Sequence, residues 1–329
     1  MLTLETVNDF SELLRVEAEW SRFAHSLPGI TPFQLPEWLL TWWREFGSGE
    51  LRVFVFRNDG EIAGIVPCFR HEWEGKQQIT LMGSGISDYL EPAIAHEHAP
   101  GVLEMLAEVL QRDRDWDVCV WQDLADRSAL ATLPCCNGLV TTVKPDTSCS
   151  ETELNGSFEE WWTQRPHGLR RNVRRYLEKA RAIEEPEFCV ASKPEADVLA
   201  ALETLHAARW HRQNQPGMIA ANRSAQFLLE VCERFASANM LRLFTLRFKN
   251  RIVAVICAFL YRETIFSYLS AFDPEYEILG FGRLLLFDAF RYAFECGCRA
   301  WNFLRGSEPY KFDWGAAEIS KCRVVVTRR

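Results

Sequence analysis

The chain has 329 residues, of which 48% are hydrophobic, 25% charged and 12% aromatic. This length and apolar content suit two ordinary globular domains or one large one, and they exclude a chain dominated by disorder. Lys and Arg number 37 against 45 Asp and Glu, a net charge of −8, which disfavours binding nucleic acid or anionic lipid over the whole surface because both need a positive footprint.

Residues 1–20 carry acids where a secretory signal needs a basic flank and an unbroken apolar run. No stretch approaches the roughly 18 apolar residues that span a bilayer, so we expect a soluble, cytoplasmic protein without membrane insertion. The 11 cysteines then suit a reduced core. Two close pairs, Cys135 with Cys136 and Cys296 with Cys298, lack C-x-x-C spacing and a nearby histidine, so we expect no metal site.

In chain order, the first clear elements recur later in the sequence. Leu51–Arg70 aligns without a gap on Leu241–Leu260, at an offset of 190 residues. Each copy has an apolar strand, a polar turn and a second apolar strand, which predicts a β-hairpin. Chance likeness of two ordinary hairpins is the alternative to duplication.

Similar neighbours surround both hairpins. Periodicity predicts a helix before the first hairpin, Pro36–Phe46, and two before the second, Ala196–Arg212 and Ser224–Ala236. After each hairpin it predicts a helix and then a strand. These are Val102–Gln111 and Asp117–Trp121 in the first copy, and Arg283–Glu295 and Ala300–Leu304 in the second. We therefore predict an α/β fold in which one unit is used twice. Polar residues accumulate over Lys144–Gly156, which places the boundary there and gives domains of residues 1–150 and 151–329.

The two copies differ at the start of the helix that follows the hairpin. After a predicted strand at Ile265–Ser270, the second copy has Gly280-Phe281-Gly282 at the beginning of an apolar helix. Glycines let the backbone approach a ligand, and the free helical N–H groups suit a pyrophosphate. The segment Leu279–Arg283 is therefore the candidate anion site, with Arg283 adding charge, although such glycines are often purely steric. The first copy has acids and prolines at residues 88–101, so one cofactor site is expected.

Further short stretches carry a family resemblance across most of the chain. They are Thr31-Pro32-Phe33 with Trp38 and Trp42, Ser87-Asp88-Tyr89, Arg170-Arg171-Asn172 with Arg174-Arg175, His206 with Arg209-Trp210, and Phe303–Trp314. With the hairpin and the Gly-X-Gly turn, they resemble the GCN5-related N-acetyltransferase (GNAT) core, although Glu277 stands where that motif usually has Arg or Gln. The closer resemblance is to the CelD-like family associated with cellulose and exopolysaccharide synthesis, which is related to FemAB-type transferases.

This resemblance implies tandem GNAT-like units, each a mixed, mainly antiparallel sheet flanked by helices. It implies that the first unit lacks a cofactor loop and that the second binds acetyl-CoA or another acyl-CoA as donor, without a metal. It does not identify the acceptor.

The segment from Arg305 to Lys311 follows a predicted strand end, where α/β sheets place reactive groups. Acyl transfer from a thioester needs a base for the acceptor and an acid for the leaving thiolate. Glu308 is the candidate base, with Asp313 as the fallback, and Tyr310 is the candidate acid. Arg305 and Lys311 are candidates to hold an anionic acceptor or the cofactor phosphates. The alternative is a loop held together by its own salt bridges.

Arg165–Arg181 contains seven Lys and Arg residues against one acid, Glu178. At helical spacing, Arg171 and Arg175 lie on one side, which suits an anionic partner such as a phosphorylated carrier, a lipid-linked sugar or RNA. A solvated helix face is the plainer interpretation.

Five further residues are candidates to bind the acceptor. His206, Arg209 and Trp210 share a helical turn, and Asp88 and Tyr89 occupy the first copy's equivalent of the cofactor loop. A buried core histidine and a capping aspartate are the structural alternatives.

The sequence thus predicts an acyltransferase that moves an acyl group from acyl-CoA to an amine or hydroxyl of a small-molecule or carrier-linked acceptor. Two alternatives stay open. One is FemAB-like transfer from aminoacyl-tRNA, the only case in which we expect nucleic acid as a partner. The other is a non-catalytic accessory of polysaccharide assembly with a decayed site.

Overall fold

The computed structural model of the protein describes residues 1–134, 138–212 and 222–329, with the backbone alone at residues 209–212 and 222. The strands are β1 (Leu2–Val7), β2 (Glu50–Asn58), β3 (Glu61–Trp73), β4 (Lys76–Leu81), β5 (Ala93–Ile94), β6 (Val118–Ala125), β7 (Leu139–Glu153), β8 (Glu187–Ala191), β9 (Leu241–Phe248), β10 (Arg251–Tyr261), β11 (Thr264–Phe272), β12 (Ala300–Arg305) and β13 (Ala317–Arg328). The helices are α1 (Phe10–Ser26), α2 (Pro36–Phe46), α3 (Ala99–Arg112), α4 (Phe158–Thr163), α5 (His167–Arg181), α6 (Ala196–Arg212), α7 (Asn222–Ser237), α8 (Phe281–Glu295) and α9 (Pro309–Asp313).

The chain divides into two compact units. The first comprises Met1–Ser148 and Ser320–Arg329, and the second Cys149–Ile319. The division at Ser148 falls inside the predicted boundary segment, of which residues 144–153 belong to strand β7. Residues 320–329, which the sequence-based division assigns to the second domain, belong to the first unit because β13 pairs there with β6.

Each unit repeats the same order of elements. In the first unit α2, β2, β3, β4, α3 and β6 follow one another, and in the second α7, β9, β10, β11, α8 and β12. The strand order is β1-β2-β3-β4-β6-β13 in the first unit and β8-β9-β10-β11-β12-β7 in the second. All of these described pairings within a unit are antiparallel except β4 with β6 and β11 with β12, which are parallel. The predicted duplicated α/β fold is therefore confirmed.

Both predicted hairpins form, and their turns need left-handed backbone. Asp59 and Gly60 in the first hairpin have φ of 51° and 91°, and Lys249 and Asn250 in the second have φ of 52° and 56°. Turns with positive φ match the right-handed twist of the flanking strands, which is why Asn, Asp and Gly dominate them.

A large aromatic and aliphatic core packs one face of the second unit. Helix α8 lies against β9, β10 and β11 and contacts α5. Phe290 of α8 stacks on Trp301 of β12, with ring centroids 4.8 Å apart, and on Trp314 after α9, 5.1 Å away. These rings join the end of β12 and the residues after α9 to the helix that begins at the glycine turn.

Among the described residues, no helix is long and apolar enough to span a membrane.

Candidate active site

A cavity of about 320 Å³ lies within the second unit. It is lined by Val255 and Ile256 of β10, by Ser267, Ser270, Ala271 and Phe272 of β11, by Glu277, by Gly280–Arg283, by Leu285 and Leu286 of α8, and by Phe303, Tyr310 and Trp314. The cavity thus brings the predicted glycine turn together with the predicted acid Tyr310, although Tyr310 lies 27 positions after Arg283 in the sequence.

The cavity lies where two parallel strands stop pairing. β11 and β12 pair over three residues each, from Thr264 with Ala300 to Phe266 with Asn302. The register of β11 with β10 also shifts at Cys257–Ala258, which marks a bulge. A bulge bends a strand and increases its twist. The second half of β11 is thereby free to leave β12, and the cavity occupies the gap.

The glycine turn has a conformation that requires Gly280. Gly280 has φ of 61° and is the N-cap of α8, and a Cβ at this position would collide with the ring of Tyr176 on α5. Phe281 and Gly282 are the first two residues of α8, so their amides have no carbonyl within the helix to bond. Two N–H groups at the positive end of a 15-residue helix suit an anion.

Gly282 is constrained for a different reason. A Cβ on Gly282 would lie 3.1 Å from the ring of Phe272, which lines the same cavity. Leu279, the first residue of the predicted anion segment, is 5% exposed and belongs to the apolar core. The other four residues of that segment line the cavity.

The end of β12 carries local strain. Leu304 has φ of 60°, and its amide donates to Oδ1 of Asn302 at 2.8 Å. The Asn302 amide in turn donates to Oε2 of Glu151 on β7 at 2.8 Å, and burial raises the pKa of that carboxyl above its usual value although this hydrogen bond opposes the shift. The register between β12 and β7 shifts at this point. The strained bend accompanies the placement of Phe303 in the cavity wall.

Lys311 holds the following loop from inside. It is 2% exposed, and its Nζ donates to the carbonyls of Arg305 at 2.7 Å and Gly306 at 3.0 Å and pairs with Oε2 of Glu308 at 2.9 Å. These contacts use the ammonium within the loop. The expectation that Lys311 holds an anionic ligand is therefore corrected: the residue organises the backbone beside Tyr310.

The three predicted catalytic residues lie in different surroundings. Tyr310 lines the cavity, is 37% exposed and meets Phe303 edge to face at 6.1 Å. Glu308 is the N-cap of α9 and has a half-exposed carboxylate held by Lys311. Asp313 is exposed at the end of α9. Neither carboxylate lines the cavity, and Arg305 lies half-buried at the end of β12 without lining it.

The cations of α5 divide between two flanks of the helix. Arg174 lies 3.8 Å from Glu178, and Arg181 donates to Glu185 at 2.8 Å. Arg171 and Arg175 are exposed, and the Arg175 guanidinium lies 5.3 Å from the ring centroid of Tyr176. Since Tyr176 covers Gly280, this flank of α5 lies beside the glycine turn.

The remaining candidates lie outside the cavity. Asp88 is buried in the first unit, where its carbonyl accepts from Lys321, and Tyr89 faces the same ammonium at 5.6 Å. His206 is 3% exposed on α6, which agrees with the core interpretation. The side chains of Arg209 and Trp210 lie outside the described residues.

Sequence reasoning missed the carboxylate within the cavity wall. Glu277 is the acid among the lining residues, and Ser267 and Ser270 add hydroxyl groups. The position of Glu277, three residues before Gly280, marks it as a departure from the usual motif but gives no sign that it borders the ligand space.

No three His, Cys, Asp or Glu side chains gather as metal ligands in residues 1–134, 138–212 and 222–329. Cys135 and Cys136 lie outside these ranges. Cys296 is exposed and Cys298 is buried, and burial raises the pKa of the Cys298 thiol to about 11.

The comparisons with known proteins agree with this geometry. Residues 167–312, which include the glycine turn and Tyr310, match the family model described as the acetyltransferase (GNAT) domain. No curated protein sequence matches the chain.

Solved structures match the whole chain at low identity. FemX has 12% identity over 97% of this chain and 96% of its own, with a TM-score of 0.67. A conserved protein of unknown function from Bacteroides thetaiotaomicron has 12% identity over 100% of both chains and a TM-score of 0.64. L-PGS from Bacillus licheniformis has 13% identity over 90% of this chain and 92% of its own, with a TM-score of 0.56. These likenesses concern the fold: the chain has a FemX-like fold, within which residues 167–312 match the GNAT domain model.

Proposed function

We propose that the protein transfers an acyl group, acetyl in the simplest case, from acyl-CoA to an amine or hydroxyl of an acceptor. The observation that carries the proposal is that one cavity is lined by residues of β11 and β12 where these strands no longer pair, by the Gly280–Arg283 turn and by Tyr310. Such a gap accepts the extended arm of CoA, while the turn offers amides to the pyrophosphate.

The proposal assigns the two ends of the cavity different tasks. Phe281 and Gly282 bind the pyrophosphate through their amides, with Arg283 as an exposed cation beside them. The thioester then lies toward Phe303 and Tyr310. There Tyr310 protonates the leaving thiolate, because its phenol is the titratable group of the wall at that end.

We assign the base to Glu308, two residues before Tyr310, with Asp313 as the alternative. The contact with Lys311 holds the Glu308 carboxylate beside the loop, so an acceptor would have to approach that carboxylate from the exposed side. The acceptor attacks the thioester carbonyl as the base takes its proton, and CoA leaves as the thiol after Tyr310 donates one.

Calorimetry with acetyl-CoA tests the donor assignment, and one binding site is expected. Gly282→Val should abolish saturable binding, because its side chain meets Phe272 in the cavity. Gly168→Val is the matched control: Gly168 is also the second residue of a 15-residue helix, and nothing lies within 4 Å of the position of its Cβ. Absence of acetyl-CoA binding by the unmodified protein would overturn the proposal.

Transfer from aminoacyl-tRNA is the second candidate function, and one observation favours it. The cations on one flank of α5 lie close to the glycine turn and have no carboxylate partner among the described residues. Binding of a short RNA that weakens steeply as salt rises, together with no binding of acetyl-CoA, would favour this candidate.

A further inference from the structure

We propose that Arg175 and Lys179 of α5 bind a phosphate that the donor carries beyond its pyrophosphate, namely the 3′-phosphate of CoA. This inference rests on the proposed function. It assigns a task to α5, which lies outside the repeated set of elements shared by the two units.

The first observation is that the cations on one flank of α5 are paired with acids, whereas those on the other flank have no acid partner among the described residues. Arg174 and Arg181 have Glu178 and Glu185 one helical turn away. In the described part of the chain, neither Arg175 nor Lys179 has a carboxylate within ion-pair distance. Both are exposed, and a spacing of four residues makes them neighbours on the helix surface.

The second observation is where the charged flank lies. The ring of Tyr176 covers Gly280, and Arg175 lies over the same ring at 5.3 Å. At 3.6 residues per turn, Lys179 and Arg175 lie about 60° and 100° around the helix from Tyr176, whereas Arg181 and Arg174 lie about 140° and 160° away. The flank without acids is therefore the one nearer the anion-binding turn.

The two observations together indicate an anionic group beside the turn. Like charges four residues apart destabilise an isolated helix, and the buried face of α5, with Leu169, Val173 and Ala180, gives no structural need for them. In CoA, the 3′-phosphate is one ribose away from the pyrophosphate. A ligand whose pyrophosphate meets Phe281 and Gly282 can thus reach Arg175 and Lys179 with its second phosphate, which charge-assisted hydrogen bonds would hold.

The test compares CoA with dephospho-CoA, which lacks only that phosphate. Calorimetry on the full chain should give about tenfold or greater preference for CoA. The double variant Arg175→Ala, Lys179→Ala should reduce the preference to about twofold or less, mainly by weakening CoA. The control Arg174→Ala, Arg181→Ala removes the same number of charges from the other flank and should keep the preference.

The outcomes separate the two proposals. If the unmodified protein binds CoA and dephospho-CoA equally, or if the Arg175 and Lys179 variant keeps the preference, the phosphate assignment is wrong while the donor site stands. Equal losses in both double variants would show an unspecific charge effect and would also overturn it. If neither nucleotide binds, the proposed function itself fails.

Discussion

The two units differ in the segment that follows β4 in the first unit and β11 in the second, the strands that pair in parallel with β6 and β12. In the second unit, β11 is followed by a 3-10 turn and then by Gly280, and the next two residues, Phe281 and Gly282, line the cavity. In the first unit, β4 leads to a packed loop in which Ser87 accepts a hydrogen bond from Trp38 at 2.8 Å. A Cβ on Gly83 in that loop would come within 2.7 Å of Leu90 and Ser87. One topology therefore supports an open site in one copy and a filled one in the other.

Two buried lysines show the same contrast. Lys321 of the first unit donates to Oδ1 of Asp123 at 2.6 Å, and both side chains are almost fully buried. Lys311 of the second unit is equally buried, but its acid Glu308 reaches solvent. The first pair closes a core, whereas the second holds a loop whose outer side stays accessible.

The largest expected effect breaks the open turn. Gly280→Ala should lower acetyl-CoA affinity by about 10² to 10⁴, because displacing the turn loses two amide contacts to phosphate worth about 1.5–3 kcal/mol each. Calorimetry measures the affinity.

Gly297→Ala is the control for that variant, since Gly297 also has positive φ, 70°, near the other end of α8 with open space around its Cβ. Both variants should lose about 1–2 kcal/mol of folding free energy from the left-handed backbone. Equal acetyl-CoA affinity in the two variants would contradict the anion assignment.

Replacing the proposed base tests the chemistry of the open unit. Glu308→Gln should reduce turnover by about 10² to 10⁴ and remove the acidic limb of the pH–rate profile, with donor affinity nearly unchanged. Tyr310→Phe should cost less, because water can protonate a thiolate. Steady-state rates with an active acceptor check both.

Two other carboxylates serve as comparisons in that assay. If Asp313→Asn is inactive while Glu308→Gln keeps its rate, Asp313 is the base. If Glu277→Gln alone removes the acidic limb, the carboxylate in the cavity wall performs this step and the assignment to Glu308 is wrong.

The two lysines should differ in their effect on stability. Lys321→Met leaves Asp123 as a buried, uncompensated charge and should cost about 3–5 kcal/mol of unfolding free energy. Lys311→Met leaves the carbonyls of Arg305 and Gly306 without this donor, but the carboxylate of Glu308 can be hydrated. This variant should therefore cost about 1–3 kcal/mol of unfolding free energy. Urea unfolding of the full chain measures both.

A second substitution sharpens this comparison of the lysines. Adding Asp123→Asn to Lys321→Met should recover part of the loss, because the buried charge is removed. Equal losses for the two single variants would show that the burial of the acid does not distinguish the sites.

The last expected effect depends on pH and concerns a carboxyl in the filled loop of the first unit. Burial raises the pKa of Glu91 to about 7, although hydrogen bonds from Ser128 and backbone amides oppose the shift. The folded state therefore holds a proton that the unfolded state releases near pH 4.5, the ordinary pKa of a glutamate. Stability from this group is fully present below pH 4.5 and declines as pH rises to about 7, by about 3 kcal/mol in total.

The difference between the unmodified protein and Glu91→Gln isolates that contribution. As pH rises from 4.5 to 8, the unfolding free energy of the unmodified protein should fall relative to that of Glu91→Gln, by about 3 kcal/mol in total. His71 titrates in the opposite sense, since burial lowers its pKa, but it is present in both proteins and cancels. A pH-independent difference would contradict the raised pKa of Glu91.

Local sequence patterns predicted the repeated framework well. The spans Pro36–Phe46 and Ala196–Arg212 match α2 and α6 residue for residue, and both hairpin turns lie where Asn, Asp and Gly predict them. Over Lys144–Gly156 the polar composition suggested a domain boundary but did not reveal that residues 144–153 form part of strand β7. Residues 142–145 of β7 are all exposed, so its pairing partner, and not its hydrophobicity, makes this part a strand.

The candidate site divides in the same way. The Gly280-Phe281-Gly282 turn could be located from sequence because a positive-φ glycine before an apolar helix is a local feature. The role of Lys311 could not be predicted from sequence, because it donates to backbone carbonyls, and the pattern of charged residues does not reveal such contacts. Glu277 and Phe272 enter the cavity wall only through the parting of β11 from β12.

The sequence by itself determined the hairpins, the helices and the difference between the two turns, since each depends on residues within about one element of one another. The tertiary structure decided three things: the return of β13 to the first unit, the gap between β11 and β12, and the direction of the charged flank of α5. Each of these depends on pairing or packing between segments far apart in the chain. No local periodicity records such contacts, because the same strand or helix pattern is compatible with several neighbours.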